Sequence, residues 1–131
     1  MIRETKYRAW DKRSKKMCEV ISIDFEKDWI VARNTDGEIE SGRIMYFELM
    51  QFAGLNDEDN EEIFEGYVLV IRNKEQGGGY PFFKSIVEFR GGTMFCGRNP
   101  LNNYDVWIYE IKILGNIYEN PELLGEIKLN R

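Results

Sequence analysis

Met17-Cys18-Glu19-Val20-Ile21-Ser22-Ile23, then Trp29-Ile30-Val31-Ala32-Arg33, then Asn34-Thr35-Asp36-Gly37, is the stretch that decides the fold. The first two runs are short and rich in β-branched and aromatic side chains, and the first alternates well enough for a strand. The tetrapeptide closes a hairpin, because Asp and Gly tolerate the positive φ that a tight turn demands. Glu38 to Gly42 then returns as a weak edge strand.

Outward from that hairpin the same grammar repeats. Lys6-Tyr7-Arg8-Ala9-Trp10 reads as a strand ahead of the polar loop Asp11 to Lys16. Ile44 to Phe52 fits either a short helix or a strand, and an apolar run of that length does not arbitrate between them. Asn56 to Glu62 is a strongly acidic loop that marks a boundary between two halves. Tyr67–Arg72 and Ile86–Arg90 follow as strands, separated by the connector Gly77-Gly78-Gly79. Gly91-Gly92 is a hairpin signal leading into Thr93 to Cys96, and Val106 to Ile117 supplies one or two further strands. At the end, Asn120-Pro121-Glu122 carries an N-cap residue, a proline at the first helical position and an acid in the first turn, so one helical turn is expected there. No long segment has a 3.6-residue period. The expected fold class is mainly β, a small barrel or sandwich.

Composition narrows the chemistry. The chain has 131 residues, 43% of them hydrophobic, with 8 Phe, 7 Tyr and 3 Trp, which is ample material for a core without metal or disulfide staples. Cys18 and Cys96 are the only cysteines, and two scattered thiols in strand-like surroundings read as small reduced hydrophobes. Met1 to Lys6 has no apolar signal-peptide core, and the longest apolar run, Val68 to Ile71, is too short to span a bilayer. A cytoplasmic protein without a membrane partner is expected. Histidine is absent. That excludes Ser-His-Asp and Cys-His nucleophilic arrangements and every His-containing metal site.

Other motifs fall away on spacing. Gly77-Gly78-Gly79 lacks the Lys-Ser/Thr ending of a phosphate-binding loop. Asp57, Asp59 and Glu61 have the spacing of a calcium loop, but Glu62 occupies its glycine position and Val68 its bidentate Glu position. The 23 Asp and Glu residues allow many spatial carboxylate pairs, and sequence spacing singles out none. No cofactor, metal site or catalytic residue is expected.

The net charge of −5 is unevenly spread. Residues 1–17 carry seven basic side chains against two acidic ones, while the remaining 114 carry 11 against 21. An acidic body of this kind repels a duplex phosphate backbone. In the basic stretch, Lys6, Arg8 and Trp10 share one face of a strand, and Lys12, Arg13, Lys15 and Lys16 occupy the following loop. These seven residues are the candidate partner-binding set. Three readings stand side by side: a solvated hairpin tip, a site for an acidic protein, and a site for single-stranded nucleic acid held by phosphate contacts and base stacking.

Three segments resemble the YopX-like proteins of temperate phages and prophages. They are Tyr7-Arg8-Ala9-Trp10-Asp11 with Lys15-Lys16-Met17, Met50 to Asp57 continuing through Glu62-Ile63-Phe64-Glu65-Gly66, and Gly115 to Leu124. They occur in the family's order across nearly the whole chain. Tyr67 departs from the Asp usual after the Glu-Gly pair, and Asn60 from the Gly usual in the acidic turn. The family has no established biochemical function, so the resemblance transfers no active site. It implies a phage origin, an N-terminal β-rich (α+β) subdomain over residues 1–55 that serves as a dimerisation region, and an SH3-like or related small β-barrel over residues 56–131 ending in a short helical turn. Gly54, Gly66 and Gly115 in these motifs are expected where the backbone turns or elements approach closely. The function expected is a non-enzymatic, self-associating protein-interaction module with a host or phage protein as partner. The alternative is a nucleic-acid-binding accessory protein that uses the basic loop.

Overall fold

Antiparallel strands account for nearly all regular structure in the computed structural model, which describes residues 6–74, 82–105 and 108–127. The Gly77-Gly78-Gly79 connector and the beginning of the expected 106–117 strand lie outside the described residues. The chain divides into two compact units, Met1–Phe52 and Ala53–Arg131.

The first unit holds β1 (Tyr7–Asp11), β2 (Lys16–Asp24), β3 (Trp29–Asn34), β4 (Ile39–Gly42) and the first part of β5 (Phe47–Asn56), in the spatial order β4-β3-β2-β1-β5. Ala9 stands opposite Cys18 on β2 and Leu49 on β5, and Cys18 stands opposite Asn34 on β3. Because side chains alternate along a strand, that register gathers Ala9, Cys18, Ile30, Ala32 and Phe47 on one buried face. Trp29, Val31 and Arg33 face the other way. A bulge between Val20 and Ser22 leaves Ile21 as an extra residue on β2, and both Ile21 and Ser22 are exposed.

The ambiguous stretch Ile44 to Phe52 resolves into both alternatives in succession. Ile44–Tyr46 is a single 3-10 turn, and β5 begins at Phe47, held by pairing with β1 through Asp11↔Phe47 and Ala9↔Leu49. No α-helix occurs among the described residues, so the α component expected in this half is reduced to that turn.

The second unit contains β6 (Glu62–Phe64), β7 (Tyr67–Asn73), β8 (Phe82–Arg90), β9 (Thr93–Cys96), β10 (Asn99–Pro100) and β11 (Tyr109–Asn116). Five of these form a sheet in the order β10-β9-β8-β7-β11, which is open among the described residues rather than closed into a barrel. Gly91 and Gly92, at φ +56 and +85, make the two-residue turn between Arg90 and Thr93 that their sequence signalled. β8 begins four residues before the expected Ile86, at Phe82.

The faces of β7 differ. Leu69 and Ile71 are buried, as is Ile111, which stands opposite Ile71. On the other face lie Val68, Val70 and Arg72. Its Val68–Ile86 end is covered by Leu123 from the 3-10 turn Pro121–Glu126, together with Ile117 and Ile127.

Glycines in the motifs make that cover possible. Gly66, at φ +85, donates its N–H to Val87 O on β8 and accepts from Ile117 N, with the Tyr118 ring 3.3 Å from where a Cβ would sit. At Gly115 a Cβ would run into Asn120 Oδ1 and Leu123 Cδ1. The expected N-cap role of Asn120 is corrected here: its side chain caps nothing in the turn that follows. Instead Asn120 Oδ1 accepts from Asn116 N at 3.2 Å, folding the turn back over β11. Asn60, at φ +64, occupies the left-handed conformation for which Gly is the usual choice and Asn the tolerated one.

Gly115→Ala should therefore lower unfolding stability by about 1–3 kcal/mol through overpacking. Gly125→Ala, where an added Cβ meets nothing within 4 Å, should stay within about 0.5 kcal/mol of wild type. Paired urea denaturation curves check both, and equal effects would refute the close-approach account of Gly115.

Candidate functional site

In the first unit the basic hairpin is built around one buried acid. Asp11 ends β1 with its side chain 2% exposed. Its Oδ1 accepts from Arg13 N at 2.9 Å and Arg13 Nε at 3.1 Å, and its Oδ2 accepts from Arg13 Nη2 at 3.0 Å. Burial pushes the carboxyl pKa up, but the hydrogen bonds and charge of Arg13 outweigh it and hold the group below its ordinary 3.8. The guanidinium also donates to Ser41 O at 2.9 Å and lies 4.9 Å from the Tyr46 ring centre and 5.4 Å from that of Phe47. Gly42 leaves room for it, since a Cβ there would stand 2.7 Å from Arg13 Nη1. Arg13 is thus committed to tying the loop, β4 and the start of β5 together.

The other candidate residues are distributed around that pin. Lys6, Arg8 and Trp10 share one side of β1, while Ala9 and Asp11 on the other are buried. Lys6 Nζ lies 5.7 Å from the Phe52 ring centre. Lys12 Nζ reaches Glu48 Oε1 at 3.6 Å in a half-exposed pair. Lys15 is exposed at φ +58. Lys16 Nζ sits 3.2 Å from Asp36 Oδ2 and 3.4 Å from Glu38 Oε1, and hydrogen bonds to these two carboxylates raise its pKa. The structure therefore pairs Lys16 with the acids at the tip of the β3–β4 hairpin, while Arg13 is paired with Asp11.

Beneath Lys16, Asn34 organises its turn by accepting from Asp36 N and Glu38 N and by donating to Glu40 Oε2 at 3.0 Å. Cys18 Sγ lies 3.4 Å from the same Glu40 oxygen. Burial and then Glu40 push the Cys18 thiol up to about 12, and burial does the same to Cys96. Both cysteines are free and buried.

Two further surfaces stand out. The outward face of β2, β3 and β4 presents Ile21, Trp29, Val31 and Ile39, with Phe25 77% exposed at the adjoining turn. Among these apolar groups, Glu19 stands opposite Arg33, which in turn stands opposite Ile39. In the second unit, the part of the β8-β7-β11 face that Leu123 leaves bare forms a cleft of about 340 Å³. Its floor is two cross-strand rows, Phe82–Arg72–Glu110 and Lys84–Val70–Lys112. Sequence reasoning missed these residues, because each row collects positions far apart in the chain.

The acidic stretch after β5 is structural. Asp57 is buried, its Oδ1 accepting from Asp59 N and Glu61 N at 2.9 Å each, and its Oδ2 accepting from Ile113 N at 3.1 Å. Among the described residues no three His, Cys, Asp or Glu side chains gather as a metal ion would require. No helix among them is long and apolar enough to cross a membrane.

A family model described as "YopX protein" matches residues 6–125. Among solved structures, protein EF1440 from Enterococcus faecalis is similar, with a TM-score of 0.65 and 26% identity, over 92% of this chain and 98% of that chain. No curated protein matches the chain.

Asp11 sets a pH signature. Its depressed pKa adds stability that is fully present above 3.8 and is lost as pH falls through the lower, folded-state value. Asp11→Asn should cost about 2 kcal/mol near neutrality, and the gap to wild type should narrow below pH 3.8. Denaturant titrations across pH measure this; a gap that widens in acid would be the wrong sign. The thiols add a second expectation. With pKa values near 12, Cys18 and Cys96 should resist a thiolate-selective reagent at pH 8 in the folded protein and react at once in denaturant.

Proposed function

The chain belongs to the YopX protein family, and we propose that it works by binding, as a non-enzymatic, self-associating interaction module. The reading rests on the outward face of β2, β3 and β4, where Ile21, Trp29 and Ile39 are 50%, 44% and 56% exposed on one side of a sheet whose other side is a packed core. Apolar groups of that size clustered on one face favour burial against a partner. A second copy suits the face because it is electrostatically self-complementary. Glu19 and Arg33 lie side by side, so a twofold axis would set the acid of one copy against the base of the other. Residues 1–55 would then act as the dimerisation region.

Catalysis draws less support. The chain has no histidine, both thiols are held protonated by burial, and Asp11 and Asp57 are occupied by N–H donors. Nucleic-acid binding through the basic hairpin is weakened by Arg13 and Lys16 already having internal carboxylate partners. We read the second unit, with five antiparallel strands interrupted by a 3-10 turn, as related to SH3-like barrels. Family membership and the free cysteines favour a phage- or prophage-encoded protein of the host cytoplasm, whose dimer would engage a host or phage protein.

Sedimentation velocity over micromolar concentrations should show a monomer–dimer equilibrium. Trp29→Ser combined with Ile39→Lys should weaken it by about 30-fold or more, the effect of losing about 2 kcal/mol at a central contact, with an unchanged unfolding midpoint. A monomer at every concentration would end the self-association reading.

A further inference from the structure

The cleft in the second unit has a composition unlike the rest of this acidic chain. Arg72 and Phe82 stand opposite each other on neighbouring strands, and Lys84 is two residues beyond Phe82 on the same face. Phe82, the first residue of β8, is 52% exposed. Arg72 is exposed and forms no ion pair among the described residues. Glu110 stands on the far side of Arg72, and Lys112 beyond it lies 4.0 Å from both Glu58 and Asp59 carboxylates. The β7–β8 side of the cleft therefore carries Arg72, Lys84 and an aromatic ring, while its β11 side carries Glu110 and a lysine balanced by Glu58 and Asp59.

We propose that this cleft binds a phosphorylated nucleoside, free or as one unit of a single strand, with the phosphate on Arg72 and Lys84 and the base on the Phe82 ring. The volume of about 340 Å³ falls at the small end of ligand sites, about 300–1,000 Å³. A cation beside an exposed aromatic on a sheet face is the pairing that single-strand recognition uses, phosphate contact plus base stacking. Glu110 supplies an acceptor for a base amino group or a ribose hydroxyl. An acidic peptide fits less well. A run of carboxylates would meet Glu110, Glu58 and Asp59, whereas a nucleotide brings its charge at one end only. Leu114, the extra residue at the bulge in β11, also lines the cleft.

Fluorescence anisotropy of the full chain with a labelled ten-residue single strand, and calorimetry with adenosine monophosphate, test the site and separate its two sources. Phe82→Leu should weaken binding about 5-fold or more by removing the stacking surface. Arg72→Gln should weaken it and reduce the salt slope by about one for the strand. Both changes fall on exposed side chains, and thermal melts confirm that the variants fold. Lys12→Gln with Lys15→Gln should leave binding unchanged. Affinity for the strand but not the mononucleotide assigns the cleft to a polymer, and comparable affinity for both assigns it to a free nucleotide. Absence of binding to either probe overturns the proposal. So does binding that ignores Phe82 and Arg72, or an equally tight complex with an acidic peptide. These outcomes are independent of dimerisation, which resides in the other unit.

Discussion

At several reversals among the described residues, backbone N–H groups that no strand receives are taken by side-chain oxygens of Asp and Asn. Asp11 accepts from Arg13 N, Asn34 from Asp36 N and Glu38 N, Asp57 from Asp59 N and Glu61 N, and Asn116 from Tyr118 N and Glu119 N. Such groups cost about 1–3 kcal/mol each when buried without a partner. A helical protein satisfies most of its N–H groups within its helices; a protein of short strands and many turns cannot. The constraint explains why so many acids and amides of this chain are buried, and why they sit at strand ends.

Asp11 and Asp57 extend the same device beyond their own turns. Asp11 adds the Arg13 side chain, which reaches Ser41 O on the edge strand. Asp57 adds Ile113 N, from a strand 56 residues later. Each carboxylate thereby fixes a local turn and a distant strand at once. Loss of either would leave donors unpaired in two places, so its effect is larger than that of an exposed ion pair such as Lys12–Glu48, which contributes little in water.

Local features were legible in the sequence and nonlocal ones were not. The turns Asn34–Gly37 and Gly91-Gly92 could be read because two residues fix the backbone there. The motif glycines could be read as constraints, and Gly66 and Gly115 meet them in different ways, by positive φ and by close approach. β8 was read too short, since Gly-Gly-Gly-Tyr-Pro immediately before Phe82 carries only turn chemistry. Asn120 has the position and type of an N-cap, but its acceptor is taken by Asn116 N, a choice made by tertiary docking. The roles of Asp57 and Arg13 depend on partners tens of residues away, and no window contains them.

Charge shows the same limit most clearly. The first 17 residues have a large basic excess, yet Arg13 and Lys16 spend that charge on Asp11, Asp36 and Glu38 within their own unit. Arg72, Lys84 and Lys112 lie in stretches that read as neutral or acidic, and strand pairing sets them on one face. A linear charge map records which residues are near in sequence. The field a partner meets depends on how cations and carboxylates are juxtaposed in the fold and on which side of a sheet the two-residue period puts them. In a protein built from short antiparallel strands, cations at alternate positions on neighbouring strands make a more concentrated surface than a consecutive basic run, because the run lies where the turn acids must also be.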